Sequence, residues 1–148
     1  MKIGISSCLI GNKVRYDGKD KKNKELMKLL EGQDLIPICP EIEAGFSVPR
    51  EPIEMKDGHI IKEDLTDLTE ELRKGSLHCL RQIEGCDFLI LKSKSPSCGM
   101  GKIYDGSFTG KLIDGNGLFT SSAKEKGYRI FTEDQLEEIK GVLKEGTL

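Results

Sequence analysis

The longest strongly apolar stretch in the chain is Phe88-Leu89-Ile90-Leu91, entered through Cys86-Asp87 and preceded by Gly85. A short unbroken apolar run bounded by turn residues reads as a buried strand. Comparable but shorter runs recur. Lys2–Ser6 carries the β-branched Ile3 and Ile5 and ends in small polar residues, and Asp34–Ile38 is a second such run. Tyr128–Phe131 is a third.

Between these runs the apolar spacing changes to that of helices. Leu26, Leu29 and Leu30 fall at helical intervals within Lys22–Glu31, which stops at Gly32. From Leu65 to Ile83 the positions Leu65, Leu68, Leu72, Cys79 and Ile83 share one helical face. Thr132, with Gln135 three residues on, predicts a capping box at the start of the last helix, and Phe131 and Leu136 are placed for a hydrophobic staple across it. Asp57-Gly58 between Ile53-Glu54-Met55 and Ile60-Ile61 predicts a tight β-hairpin. Strands alternating with helices imply an α/β fold with a mostly parallel sheet, right-handed crossovers and three layers, the hairpin being an excursion from it. At 148 residues the expectation is a single domain over 1–148.

A formal net charge of −2 argues against binding of a nucleic acid polymer. The local basic run Lys19, Lys21, Lys22, Lys24 and Lys28 reads as a solvated helix face. No segment approaches the roughly 20 apolar residues of a membrane span. The first residues enter a strand pattern without a signal-peptide core, so the expected location is the cytoplasm. The sequence leaves the oligomeric state open. In a reducing compartment the odd count of five cysteines argues against a disulfide framework.

Cys79, on the apolar helix face, and Cys86, entering a strand, read as small core residues. Cys8, Cys39 and Cys98 sit instead among Ser, Pro and Gly, each soon after a predicted strand. Ligands of parallel α/β sheets bind beyond the C-terminal strand ends, so these three thiols are expected to converge there. Three thiolates suit either zinc with one open position or a 4Fe-4S cluster with one iron lacking a protein ligand, and spacing does not choose between them. The segment Cys8 to Arg15 is similar to the Cys-x5-Arg loop of small phosphatases and arsenate reductases. Here six residues intervene, and no Asp-Pro pair supplies the general acid.

Six motifs occur in order: Ser6-Ser7-Cys8-Leu9, Arg15-Tyr16-Asp17-Gly18, Cys39-Pro40-Glu41, Val48-Pro49-Arg50, Ser95-Pro96-Ser97-Cys98-Gly99, and the run Tyr104 to Gly110. Together they resemble the short thiouracil desulfidases, the TudS-like family, over nearly the whole stretch from Lys2 to Phe131. The resemblance implies an enzyme carrying a 4Fe-4S cluster on Cys8, Cys39 and Cys98. Its substrate would be a small thiolated nucleobase or nucleotide, 4-thiouracil or 4-thiouridine monophosphate, and its products hydrosulfide with uracil or UMP, without net electron transfer.

Such chemistry needs a carboxylate for proton transfer, and Glu41 is the first candidate, with Glu43 in reserve. Ser95 and Ser7 are candidates for hydrogen bonds to substrate or sulfur. Arg15, Arg50 and Lys102 are candidates for a nucleotide phosphate. Arg50, following Pro49, could instead lock a loop through an ion pair. A non-catalytic metal or iron-sulfur module is the alternative reading from another class.

Overall fold

The computed structural model describes residues 1–146. Its main sheet has the order β2-β1-β5-β8, formed by β1 (Lys2–Ser6), β2 (Asp34–Ile38), β5 (Phe88–Leu91) and β8 (Ile130–Thr132). Every pairing in it is parallel. Two antiparallel hairpins stand apart: β3 (Ile53–Lys56) with β4 (His59–Lys62), and β6 (Lys102–Tyr104) with β7 (Leu112–Asp114).

Residues alternate in direction along each strand, so the two faces of the sheet build separate cores. Ile3, Ile5, Phe88, Ile90 and Phe131 pack with Leu26 of helix α1 (Lys24–Leu29) and with Ile139 and Val142 of α5 (Leu136–Glu145). The Phe88 and Phe131 rings meet edge to face at 5.6 Å. On the other face Ile38, Leu89, Leu91 and Ile130 pack with Cys79 of α3 (Thr69–Gln82) and with Phe119 and Ala123 of α4 (Leu118–Glu125). Helices thus cover both faces, giving the three-layer α/β fold and hairpin excursion expected from the apolar pattern. Among the described residues no helix is long and apolar enough to cross a membrane.

Several boundaries differ from the sequence reading: the last strand is Ile130–Thr132 instead of Tyr128–Phe131, and three helix starts shift where a polar side chain binds a nearby backbone amide. The first helix begins at Lys24 instead of Lys22, because Asn23 Oδ1 accepts from the Leu26 amide at 3.0 Å. The long helix begins at Thr69 instead of Leu65. Asp64 and Asp67 capture the amides of Thr66 and Thr69, while Leu65 takes φ 73° and points into solvent.

The predicted capping box forms only in part. Gln135 Oε1 accepts from the Thr132 amide at 2.9 Å, but the Thr132 hydroxyl takes the Asp134 amide. It therefore closes a turn, and α5 starts at Leu136. The helix α2 (Pro40–Glu43), the helix α4 and the hairpin β6–β7 have no counterpart in the sequence reading.

Helix α2 is held by an unusually close approach. A Cβ on Gly75 of α3 would lie 2.6 Å from the Ala44 nitrogen and 3.0 Å from its Cα. Gly75→Ala is therefore expected to destabilise the protein by about 1–3 kcal/mol through overpacking. The roughly 1 kcal/mol of helix propensity gained does not offset backbone contacts this short. Urea unfolding of the variant reads the difference.

Candidate metal centre and active site

The three loop cysteines reach the site by different local routes. After β1 the chain tightens into a 3-10 turn, Ser7–Ile10, which turns Cys8 inward. After β2, Cys39 caps the N-terminus of α2, whose first residue Pro40 has no amide hydrogen to lose. After β5 the loop 92–101 carries Cys98, whose amide is held by Ser95 Oγ at 3.1 Å. Because β2, β1 and β5 are parallel neighbours, all three turns lie at one edge of the sheet. Cys8, Cys39 and Cys98 line the same cavity of about 370 Å³ there, together with Ser7, Arg15, Glu41, Arg50, Glu54 and Ser95. Cys79 and Cys86 do not line it.

The thiols occupy a shared, largely buried environment. Burial pushes Cys8 up to about 11, reinforced by Cys39 and opposed by Lys92 and Arg15. Burial likewise raises Cys39, against the lowering effect of the Ile42 amide. Cys98 is raised by burial, opposed by the Ser6 hydroxyl, and then raised further by Cys39 and Cys8. A buried thiol of this kind is a poor free nucleophile, which argues against the phosphatase-like reading of Cys8. The cation that reading would need, Arg15, bonds Asp17 Oδ2 at 3.3 Å and stacks over Tyr16 at 5.5 Å.

Around the thiols runs one continuous polar network. Arg50 donates from Nε and Nη2 to Glu41 Oε1, at 3.2 and 3.0 Å. The other guanidinium bonds go to the Ser47 and Val14 carbonyls, both at 3.0 Å. Glu41 Oε2 accepts from Ser97 Oγ at 3.0 Å. The Ser97 hydroxyl proton being committed to Glu41, the 2.8 Å contact between Ser95 and Ser97 has Ser95 as donor. Ser95 Oγ in turn accepts from the Ser97 and Cys98 amides. Ser7 Oγ accepts from Asn12 Nδ2 at 2.7 Å.

The structure thus brings Glu41, Ser7, Ser95, Arg15 and Arg50 to the cysteine cavity and leaves two candidates outside it. Glu43 turns toward α3, where its Oε2 lies 3.1 Å from His78 Nε2 and its Oε1 faces Gln82. One helical residue separates it from the direction of Glu41. Lys102 pairs with Asp114 across the exposed hairpin β6–β7 and is not among the residues lining the cavity.

Sequence reasoning missed Ser97 and Glu54. Ser97 stands in the quoted Ser-Pro-Ser-Cys motif, directly before Cys98. Glu54 carried a signal too, as an acid between the apolar Ile53 and Met55 of the predicted hairpin.

The Arg50–Glu41 pair is largely buried, with side-chain exposures of 9% and 14%. Arg50→Ala would strip the charge partner from Glu41 and free two backbone carbonyls. The expected loss is on the order of 3 kcal/mol, measured by denaturant unfolding, because a buried charge is left unpaired. Arg50→Lys is expected to recover only part of it, since an ammonium cannot reproduce the fork.

Comparison with known proteins agrees with this geometry. The chain is 36% identical to the uncharacterized protein YbbK of Bacillus subtilis (strain 168), over 93% of this chain and 99% of that protein. Its fold matches the solved structure of a [4Fe-4S]-dependent thiouracil desulfidase, TudS, with a TM-score of 0.88 and 38% identity, over 97% of each chain. The family model of 2-thiouracil desulfurase matches residues 3–135. The chain belongs to the 2-thiouracil desulfurase family.

Proposed function

We propose that this protein is a non-redox desulfidase that removes sulfur from a thiolated pyrimidine, 4-thiouracil or 4-thiouridine monophosphate, giving uracil or UMP and hydrosulfide. The observation that carries the reading is the convergence of Cys8, Cys39 and Cys98 on one cavity. In this reading those thiolates hold a 4Fe-4S cluster.

The donor set fits such a group. Its members are three soft ligands, with the Ser6 hydroxyl directed at the Cys98 sulfur. Hydrogen bonds to sulfur of this kind stabilise thiolate ligands and tune a cluster. Burial that disfavours a bare thiolate is offset when the sulfur binds a cationic metal. The likeness to a [4Fe-4S]-dependent desulfidase, at 38% identity over 97% of the chain, favours the cluster over the single zinc that spacing had left open.

A cluster with three protein ligands supplies Lewis acidity at its remaining iron. The chain's own residues then have definable tasks. Glu41 Oε1 is engaged twice by Arg50, so Oε2, with one hydrogen bond from Ser97, is the oxygen with capacity to take a proton from water. Arg50 fixes the direction of that oxygen. Ser95, its lone pairs given to two amides and its proton to Ser97, positions Ser97 and the Cys98 backbone. Arg15 at the cavity wall, where Lys21 and Lys94 also stand, is the candidate kept for the phosphate of a nucleotide substrate. Against these placements Glu43 and Lys102 have no task in the reaction.

Anaerobic reconstitution with iron and sulfide, followed by hydrosulfide release from 4-thiouracil and its nucleotide, tests the reading. Wild-type protein is expected to hold about four irons per chain. Cys8→Ala, Cys39→Ala and Cys98→Ala should each lose iron, while Cys79→Ala and Cys86→Ala retain it and lose only stability. Iron loss in Cys79→Ala would overturn the division of the thiols. Glu41→Gln should keep its iron while turnover falls on the order of 10²-fold, and a wild-type rate would assign proton transfer elsewhere.

A further inference from the structure

Glu54 is buried in β3, yet it lines the cysteine cavity. Among the described residues no cation pairs with it. One oxygen is fixed: Oε1 accepts from the Gly106 amide at 3.0 Å and the Phe108 amide at 3.1 Å. Both donors come from the Tyr-Asp-Gly-Ser-Phe-Thr-Gly run, a motif to which the reaction as derived gives no task. Their backbone is costly to arrange. Gly106 has φ 91°, and a Cβ there would lie 2.5 Å from Lys56 Cβ and 3.0 Å from the Met55 carbonyl oxygen. Phe108 has φ 59°, a conformation that side-chain-bearing residues rarely adopt. The loop is thus bent to hold a carboxylate in place, while Oε2 has no hydrogen-bond partner among the described residues.

We propose that Glu54 determines ring specificity, its Oε2 accepting a hydrogen bond from the N3–H of the thiolated pyrimidine. The inference rests on the desulfidase reading and deepens it. A carboxylate is an acceptor only, and a thiopyrimidine presents to it two kinds of polar group. Its carbonyl and thiocarbonyl repel a carboxylate, whereas its N–H groups match one. N3–H flanks the thiocarbonyl carbon in both 2- and 4-thiouracil, and it remains free when N1 carries a ribose. An acceptor fixed by two amides is pre-oriented, so little is lost in ordering it when the ring binds. A site built to accept that N–H rejects rings lacking it, because the bound ring would take water from that oxygen and leave it unpaired.

Glu54→Gln provides the test. The glutamine Oε1 can retain both amide bonds, while its Nε2 presents a donor where Oε2 accepted. Binding of 4-thiouracil by calorimetry, and kcat/KM with the reconstituted enzyme, should both fall by on the order of 10- to 100-fold, the worth of a hydrogen bond to a charged group. The loss in kcat/KM is expected mainly in KM. Wild type should discriminate against 3-methyl-4-thiouracil by a similar factor, and Glu54→Gln should no longer discriminate.

Wild-type affinity in Glu54→Gln would overturn the proposal. So would equal losses on the methylated and unmethylated rings, which is what mere support of the loop predicts, and so would a wild type that binds neither ring. Absence of turnover in wild type that still binds 4-thiouracil would remove the desulfidase reading alone, the calorimetric comparison then deciding the role of Glu54.

Discussion

The parallel pairing of β1 between β2 and β5 is the constraint on which the site depends. Parallel neighbours joined by crossovers end at the same edge, so the chain leaves all three strands side by side. Ser6, Ile38 and Leu91 are the last residues of those strands. Cys8 stands two residues beyond Ser6, Cys39 one beyond Ile38, and Cys98 seven beyond Leu91. Thiols separated by 31 and 59 positions in sequence, from Cys8 to Cys39 and from Cys39 to Cys98, are neighbours only because of this pairing.

Bringing thiols together in a buried cavity has an electrostatic consequence. Burial raises each one, Cys39 further disfavours ionisation of Cys8, and both disfavour that of Cys98. The protein counters this with oriented donors, among them the hydroxyl of Ser6 and the amide of Ile42. These donors sit on the same turns that present the thiols, so the backbone geometry and the chemistry of the site are one arrangement. The close approach at Gly75 extends it, since α2 carries Glu41 and follows Cys39 directly.

The three acids near this region show how neighbours decide a residue's task. Glu41 is clamped by Arg50 and reached by the Ser97 hydroxyl. Glu43, two positions later on α2, meets His78 and Gln82 on the far side. Glu54 lies on a different hairpin and is held by amides of a third segment. Their residue type does not separate them. Arg50 illustrates the same point, because four of its five N–H donors are spent within the fold. That leaves little for a phosphate and makes it the loop lock that Pro49-Arg50 had suggested as the alternative.

By itself the sequence determined the alternation of the main-sheet strands with helices, the face that most apolar residues take, and the separation of Cys8, Cys39 and Cys98 from Cys79 and Cys86. These follow from periodicity and from short-range composition, which act within a few residues. The ordered motifs also disclosed the family. Tertiary structure alone decided that Glu41 and not Glu43 enters the cavity, that Lys102 stays outside, and that Ser97 and Glu54 belong to the site. It also decided the starts of α3 and α5, where Asp67 and Thr132 spend their side chains on neighbouring amides. Such outcomes depend on hydrogen bonds between segments 52 to 56 residues apart, as in Glu54 with Gly106 and Glu41 with Ser97, or on competition between nearly equal local bonds. Neither leaves a periodic trace in the chain, because direction and partner are fixed only when the layers pack.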